Sequence, residues 1–196
     1  MIVFGLIALI LFNKGTTVLL FDNYHNLFLD ILLKTITTFG EFIGFCISFL
    51  LLVFGSKKSN KKFIFTLMIS ALLSLLISQT CKHLLFSSEH RPSYFYNDLE
   101  LVDGVDQHKN NSFPSGHTTA AFTFVTVLAF STSKKWIHYL LPIFASLVGA
   151  SRIYLGQHFL IDVVVGAILG IFIAMFSFYF FDRFWLSRNK DEISFG

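Results

Sequence analysis

The stretch Phe159–Phe181 reads FLIDVVVGAILGIFIAMFSFYFF, and its one charged residue is Asp162. At ~1.5 Å rise per residue, a helix of this length covers ~35 Å, more than the ~30 Å hydrocarbon layer of a bilayer. Lipid offers no partners to backbone N–H and C=O groups, so a run this apolar reads as a membrane-spanning helix. The rest of the chain has the same character. Of its 196 residues 54% are hydrophobic, 14% are charged and 26 are Phe, and the mean hydropathy is +0.67. Soluble domains carry about 25% charged residues, so the charge deficit excludes that class. The net charge of +3 carries no nucleic-acid signal.

Outward from that run, six apolar segments can be counted: Met1–Leu20 (interrupted by Asn13, Lys14 and Gly15), Phe42–Phe54, Phe63–Thr80, Thr118–Phe130, Trp136–Tyr154 and Phe159–Phe181. Met1–Phe12 alone is short for a span, so either the interruption lies at the lipid interface or further residues precede it. It also lacks the basic start and small-residue cleavage site of a signal peptide. Asp22–Phe39 alternates polar and apolar residues at helical period, which suits an amphipathic helix lying in the interface. The expected fold is therefore an all-α polytopic membrane bundle of six transmembrane helices plus this interfacial helix. It forms one integral-membrane domain over residues 1–196. Cys46 and Cys81 sit in or beside apolar runs without ligand spacing and read as small buried hydrophobes.

Basic residues set the orientation. Lys57, Lys58, Lys61 and Lys62, then Lys134 and Lys135, then Arg183, Arg188 and Lys190 fall on one side if all six spans are real. By the positive-inside rule that side is the cytoplasm, and both termini lie there. Segments 13–41, 81–117 and 155–158 are left on the opposite face.

Three clusters on that face carry the chemistry. Asp162 lies four residues after His158, so on a helix the two share a face, and the carboxylate can hold one ring nitrogen while the other acts as a nucleophile. Arg152 precedes them across the turn at Gly156, and its planar fork suits two phosphate oxygens. The plainer alternative is an Arg152–Asp162 ion pair that locks two helices. In the second cluster Pro114 ends a loop and Ser115, Gly116 and His117 open a helix. N–H groups at a helix start form an anion site, and Gly116 permits close approach. His117 suits a general acid, although Ser115 alone reads equally as an N-cap and His117 as an interfacial polar residue. The first cluster holds Lys82 and Arg91-Pro92. Arg91 supplies a second fork, and Lys82 is either a point charge on phosphate or a side chain snorkelling to the interface.

Together these residues resemble the type 2 phosphatidic acid phosphatase superfamily, which joins membrane lipid phosphatases with soluble vanadium haloperoxidases. Its pattern is a Lys, six residues and Arg-Pro; then Pro-Ser-Gly-His; then Ser-Arg, five residues, His, three residues, Asp. The second and third motifs match without gaps as Pro114-Ser115-Gly116-His117 and Ser151-Arg152 through His158 to Asp162. The first departs from it, because eight residues separate Lys82 from Arg91, so Lys82 needs a bulge or a longer turn to reach the site.

The resemblance implies that His158 is a nucleophile on phosphorus, oriented by Asp162. His117 would protonate the leaving group and then activate water against a phosphohistidine. Arg91, Arg152, Lys82 and the N–H groups near Ser115 and Gly116 would hold phosphate oxygens. Three cations can do the work of a metal, and no acidic cluster suited to Mg²⁺ is evident, so neither metal nor cofactor is expected. The expected substrate is a phospholipid or polyprenyl phosphate in a bacterial cytoplasmic (inner) membrane, attacked on the extracytoplasmic side. Candidates are undecaprenyl diphosphate, phosphatidylglycerol phosphate, phosphatidic acid and lipid A phosphate. Two other readings compete: the same fold acting on a soluble phosphate or a different acceptor, and a non-catalytic anion-binding membrane protein. The pairing of His117 with His158 argues against the latter. Loop Ser93–Phe113, with Tyr94, Phe95, Tyr96 and several acids, reads either as a head-group lid or as a solvated loop.

Overall fold

The structure, a computed structural model, describes residues 1–55 and 60–194, with side chains up to Arg183 except that of Asn60. Lys57 and Lys58 lie outside the described residues, as do the side chains of Arg188 and Lys190. All described secondary structure is helical: α1 (Ile2–Leu11), α2 (Thr16–Asp22), α3 (Leu27–Thr38), α4 (Phe42–Phe54), α5 (Asn60–Thr80), α6 (Pro92–Phe95), α7 (Gly116–Ser131), α8 (Lys135–Tyr154) and α9 (Leu160–Ser194). A π-helical turn, Cys81–Leu85, continues α5.

Three stretches are long and apolar enough to cross a membrane: Lys61–Leu85, Lys135–Tyr154 and Leu160–Arg183. Two bent pairs raise the number to five if each is one span: α1 with α2, bent by 105°, and α3 with α4, bent by 61°. The count read from the sequence was six, and the difference has local causes. At Gly15 the backbone turns left-handed (φ 99°), a conformation glycine adopts without a Cβ clash, and this breaks the first segment. Helix α7, at 16 residues, is shorter than a full span. The segment expected as an interfacial amphipathic helix contains α3, which is joined to α4 across the elbow at Phe39–Glu41. It packs on α8, where Leu33 meets Tyr154 and Leu155.

Helix α7 is the axis of the bundle, with α4, α5, α8 and α9 packed around it. Its residues Thr118 through Val125 are all buried, so the helix has no solvent or lipid face along that length. Helices buried on every side need thin neighbours, and the α7–α9 crossing supplies them with Gly166 and Gly170 one helical turn apart. A Cβ at Gly170 would stand 2.3 Å from the Thr119 carbonyl oxygen and 3.0 Å from the Phe122 Cβ. The threonines of α7 return their hydroxyls to the backbone: Thr119 donates to the Ser115 carbonyl (2.9 Å), and Thr123 to Thr119 (2.7 Å) and to Gly170 on α9 (3.2 Å). Outward, Phe172, Phe176 and Phe180 stack along the exposed face of α9 at i, i+4 spacing.

Helix directions separate two ends. Helices α5 and α8 run toward the end that holds Lys82 and Arg152, while α7 and α9 begin there. Lys61, Lys62, Lys134, Lys135 and Arg183 lie at the other end, where Lys62 pairs with Asp182 and sits 4.1 Å from the centroid of the Phe178 ring. Replacing Gly170 by Ala should therefore lower stability in detergent by about 1–3 kcal/mol through overpacking. Ile168→Ala on the exposed face should change it by less than ~0.5 kcal/mol, both read from thermal unfolding.

Candidate active site

The start of α9 is built around one carboxylate oxygen. Asp162 Oδ2 accepts from the backbone N–H of Phe159 at 3.0 Å, which caps the helix as the returning half of a capping box. The same oxygen accepts from the Ser112 hydroxyl at 2.5 Å and faces His158 Nδ1 at 3.4 Å. Asp162's own carbonyl accepts from the Ser115 N–H at 3.0 Å, so the loop entering α7 is stitched to α9. With Nδ1 turned toward Asp162, Nε2 of His158 is the nitrogen left for a ligand. His158 is 1% exposed. Burial first, then the positive charges of Arg91, Arg152, Lys82 and His117, hold its imidazole well below the ordinary histidine range. The ring is neutral at pH 7 and keeps a lone pair.

Two guanidiniums flank it, both buried. Arg91 precedes α6 and is held by carbonyls and an amide: Nε donates to Asn110 (3.0 Å), and Nη1 donates to the Gln157 side-chain oxygen (2.8 Å). Gln157 is itself fastened to Asp106 and Gln107, so loop 93–113 is tied down at this point. Arg152, in the last turn of α8, donates from Nη1 to the Thr37 hydroxyl at 2.8 Å. Its Nε is buried without a hydrogen-bond partner. A buried donor left unpaired is costly, and an anionic oxygen is the acceptor that would relieve it. Among the described residues no ion pair involves Arg91 or Arg152, so the helix-locking Arg152–Asp162 pair is not formed.

Lys82 reaches this end because it lies inside the π-helical turn, where the Phe86 N–H bonds back five residues to Cys81 at 2.8 Å. That widened turn accommodates the long separation from Arg91. The Lys82 ammonium abuts Gly116: a Cβ there would stand 3.2 Å from Nζ. Ser115 is fully buried and bonds the Thr118 hydroxyl at 2.9 Å rather than capping the α7 backbone, which leaves the N–H groups of the first turn available to an anion. His117 points Nδ1 at Glu41 Oε1, 2.8 Å away.

All eight residues singled out in the sequence thus converge on one end of the bundle. Four neighbours were not: Glu41, Thr37, Ser112 and Gln157. Gln157 sits inside the third motif, and Glu41 is the acid at the head of an apolar run; Ser112 and Thr37 carry no pattern.

Two cavities meet at Lys82. One, of about 410 Å³, opens between Lys82, Arg91, His83 and the 108–111 loop. The other, of about 500 Å³, runs from Glu41, Lys82 and Gly116 between α4 and α5 along Phe42, Phe45, Leu72 and Leu75. Among the described residues no group of three His, Cys, Asp or Glu side chains is placed to hold a metal ion.

Residues 61–186 match the family model described as the PAP2 superfamily. The chain is 32% identical over 169 residues to an undecaprenyl-diphosphatase of Sulfolobus acidocaldarius, covering 84% of this chain and 78% of that protein. It is 29% identical over 160 residues to undecaprenyl-diphosphatase BcrC of Bacillus subtilis, covering 82% and 79%. Among solved structures, Aquifex aeolicus LpxE superposes with a TM-score of 0.72 at 29% identity, over 84% of this chain and 93% of that one. The buried environment of His158 can be tested directly. An imidazole NMR titration in detergent, assigned by difference against His158→Gln, should find the ring still neutral at about pH 6, where a free histidine is mostly protonated.

Proposed function

Because the chain belongs to the PAP2 superfamily, we propose that it is an integral-membrane lipid phosphatase working through a phosphohistidine at His158. The observation that carries this is the convergence of a buried neutral imidazole with two guanidiniums, an ammonium and a second histidine at one end of the bundle. Phosphoryl transfer needs positioning and charge neutralisation above all, and these groups supply both. His158 Nε2 attacks phosphorus and the bond to the leaving oxygen breaks as His117 Nε2 hands that oxygen a proton. His117 then takes a proton from water, the water oxygen bonds phosphorus, and the P–N bond breaks to release phosphate. Arg91, Arg152, Lys82 and the N–H groups of Gly116 and His117 hold the nonbridging oxygens, and Asp162 keeps His158 in its Nδ1–H form.

A lipid substrate is favoured by the apolar cavity between α4 and α5, which begins at Lys82 and Gly116 and offers a path for a hydrocarbon chain. The names of the two relatives favour a polyprenyl diphosphate, undecaprenyl diphosphate first, over phosphatidylglycerol phosphate, phosphatidic acid or lipid A phosphate. Six traversals, with α7 as a short central one and the bent pairs α1–α2 and α3–α4 as one each, put the basic end in the cytoplasm. The site then faces the extracytoplasmic side of the membrane.

Purified protein in detergent should release inorganic phosphate from at least one lipid in that panel and not from sugar phosphates. Release from sugar phosphates alone would overturn the lipid assignment. His158→Ala should lose at least ~10⁴-fold in turnover while keeping its thermal unfolding midpoint, as expected when a nucleophile is removed. Activity should survive EDTA, since three cations replace a metal; loss reversed by Mg²⁺ would refute that.

A further inference from the structure

The elbow between α3 and α4 delivers two side chains to the site. Gly40 makes the approach possible: a Cβ there would stand 2.5 Å from Val148 Cγ1 on α8 and 3.3 Å from the His117 Cβ on α7. On one side of the elbow Thr37 holds Arg152 (2.8 Å). On the other, Glu41, the N-cap of α4, places Oε1 2.8 Å from His117 Nδ1. The Glu41 side chain is 55% exposed and lines the apolar cavity, so it stands between His117 and the side from which a lipid arrives.

We propose that Glu41 is a positioning residue for His117, forming a second carboxylate–imidazole pair opposite Asp162–His158. The proposal rests on the phosphohistidine reading above. A carboxylate only accepts, so the Nδ1 that faces it carries a hydrogen. That leaves Nε2 as the exchangeable position: N–H when the ring is charged, a lone pair when it is neutral. An acid that must become a base within one cycle needs this, because the opposite tautomer has no lone pair at Nε2 to take a proton from water. The two pairs differ in setting, and so in role. Asp162 is 2% exposed, is shared with Ser112 and the α9 backbone, and serves a ring that attacks as a neutral nucleophile and exchanges no proton at Nε2. Glu41 is half exposed and, among the described residues, forms its ion pair with His117, which suits a ring that alternates between two protonation states.

The test needs no knowledge of the lipid. Washout of ¹⁸O from labelled inorganic phosphate runs the hydrolytic half in reverse, with water as a leaving group that must be protonated. Phosphorylation of His158 by 4-nitrophenyl phosphate, followed by rapid quench, expels a phenolate that needs no acid. Glu41→Ala should slow ¹⁸O washout about 10- to 100-fold. It should leave the nitrophenolate burst within about threefold and let the acid-labile phosphohistidine accumulate. Glu41→Ala/His117→Ala should be no slower in washout than His117→Ala alone, since coupled residues are not additive. Equal losses in burst and washout, or a washout rate unchanged from wild type, would overturn the assignment. A wild-type protein with neither burst nor washout would remove the phosphohistidine mechanism itself, a failure distinct from that of Glu41.

Discussion

Positive charge buried without carboxylate partners is the constraint around which this protein is arranged. Arg91, Arg152 and Lys82 approach one neutral histidine at the end of a membrane bundle, and no described ion pair neutralises either guanidinium. Such groups repel one another and are costly to desolvate. The two guanidiniums are held by main-chain carbonyls, a side-chain amide and a hydroxyl, neutral partners that leave Arg152 Nε unpaired. What remains is a site whose electrostatic deficit suits a phosphate dianion.

The scaffold explains how such a site persists. Helix α7 is enclosed by four others and packed against glycines of α9 so closely that a single Cβ has no room. It is therefore a rigid post, and its first turn presents Ser115, Gly116 and His117 at a fixed height. The starts of α7 and α9 are bonded directly through Ser115 and Asp162, which locks the two ungapped motifs together. The elbow at Gly40 adds Thr37 and Glu41 from elements that belong to neither motif. The two carboxylate–imidazole pairs thus come from different architectural sources: one from a single helix turn, the other from a bend between two helices.

Several elements were legible in the sequence because they depend on local chemistry. Apolar runs with few charges announce a membrane bundle, and α8 and α9 lie where the runs 136–154 and 159–181 predict them. The amphipathic segment expected at 22–39 contains α3, which meets α8 through Leu33 and Arg152 through Thr37 while Leu27, Phe28 and Ile31 remain exposed. The first segment split at Gly15, where the left-handed backbone interrupts the helix and the Tyr96 hydroxyl occupies the space a side chain would need.

The sequence by itself determined the class of the protein and the identity of the charged groups, because hydropathy and the His158–Asp162 and Pro114–His117 spacings act over one or two helical turns. Tertiary structure decided what those groups touch. Lys82 joins the site through a π-helical turn that its spacing only hinted at, since a backbone widening leaves no residue-type signature. Glu41, Thr37, Ser112 and Gln157 became neighbours of His117, Arg152, Asp162 and Arg91 through contacts between residues up to 115 positions apart. Proximity of that kind comes from helices crossing where glycines permit, and no local pattern encodes it.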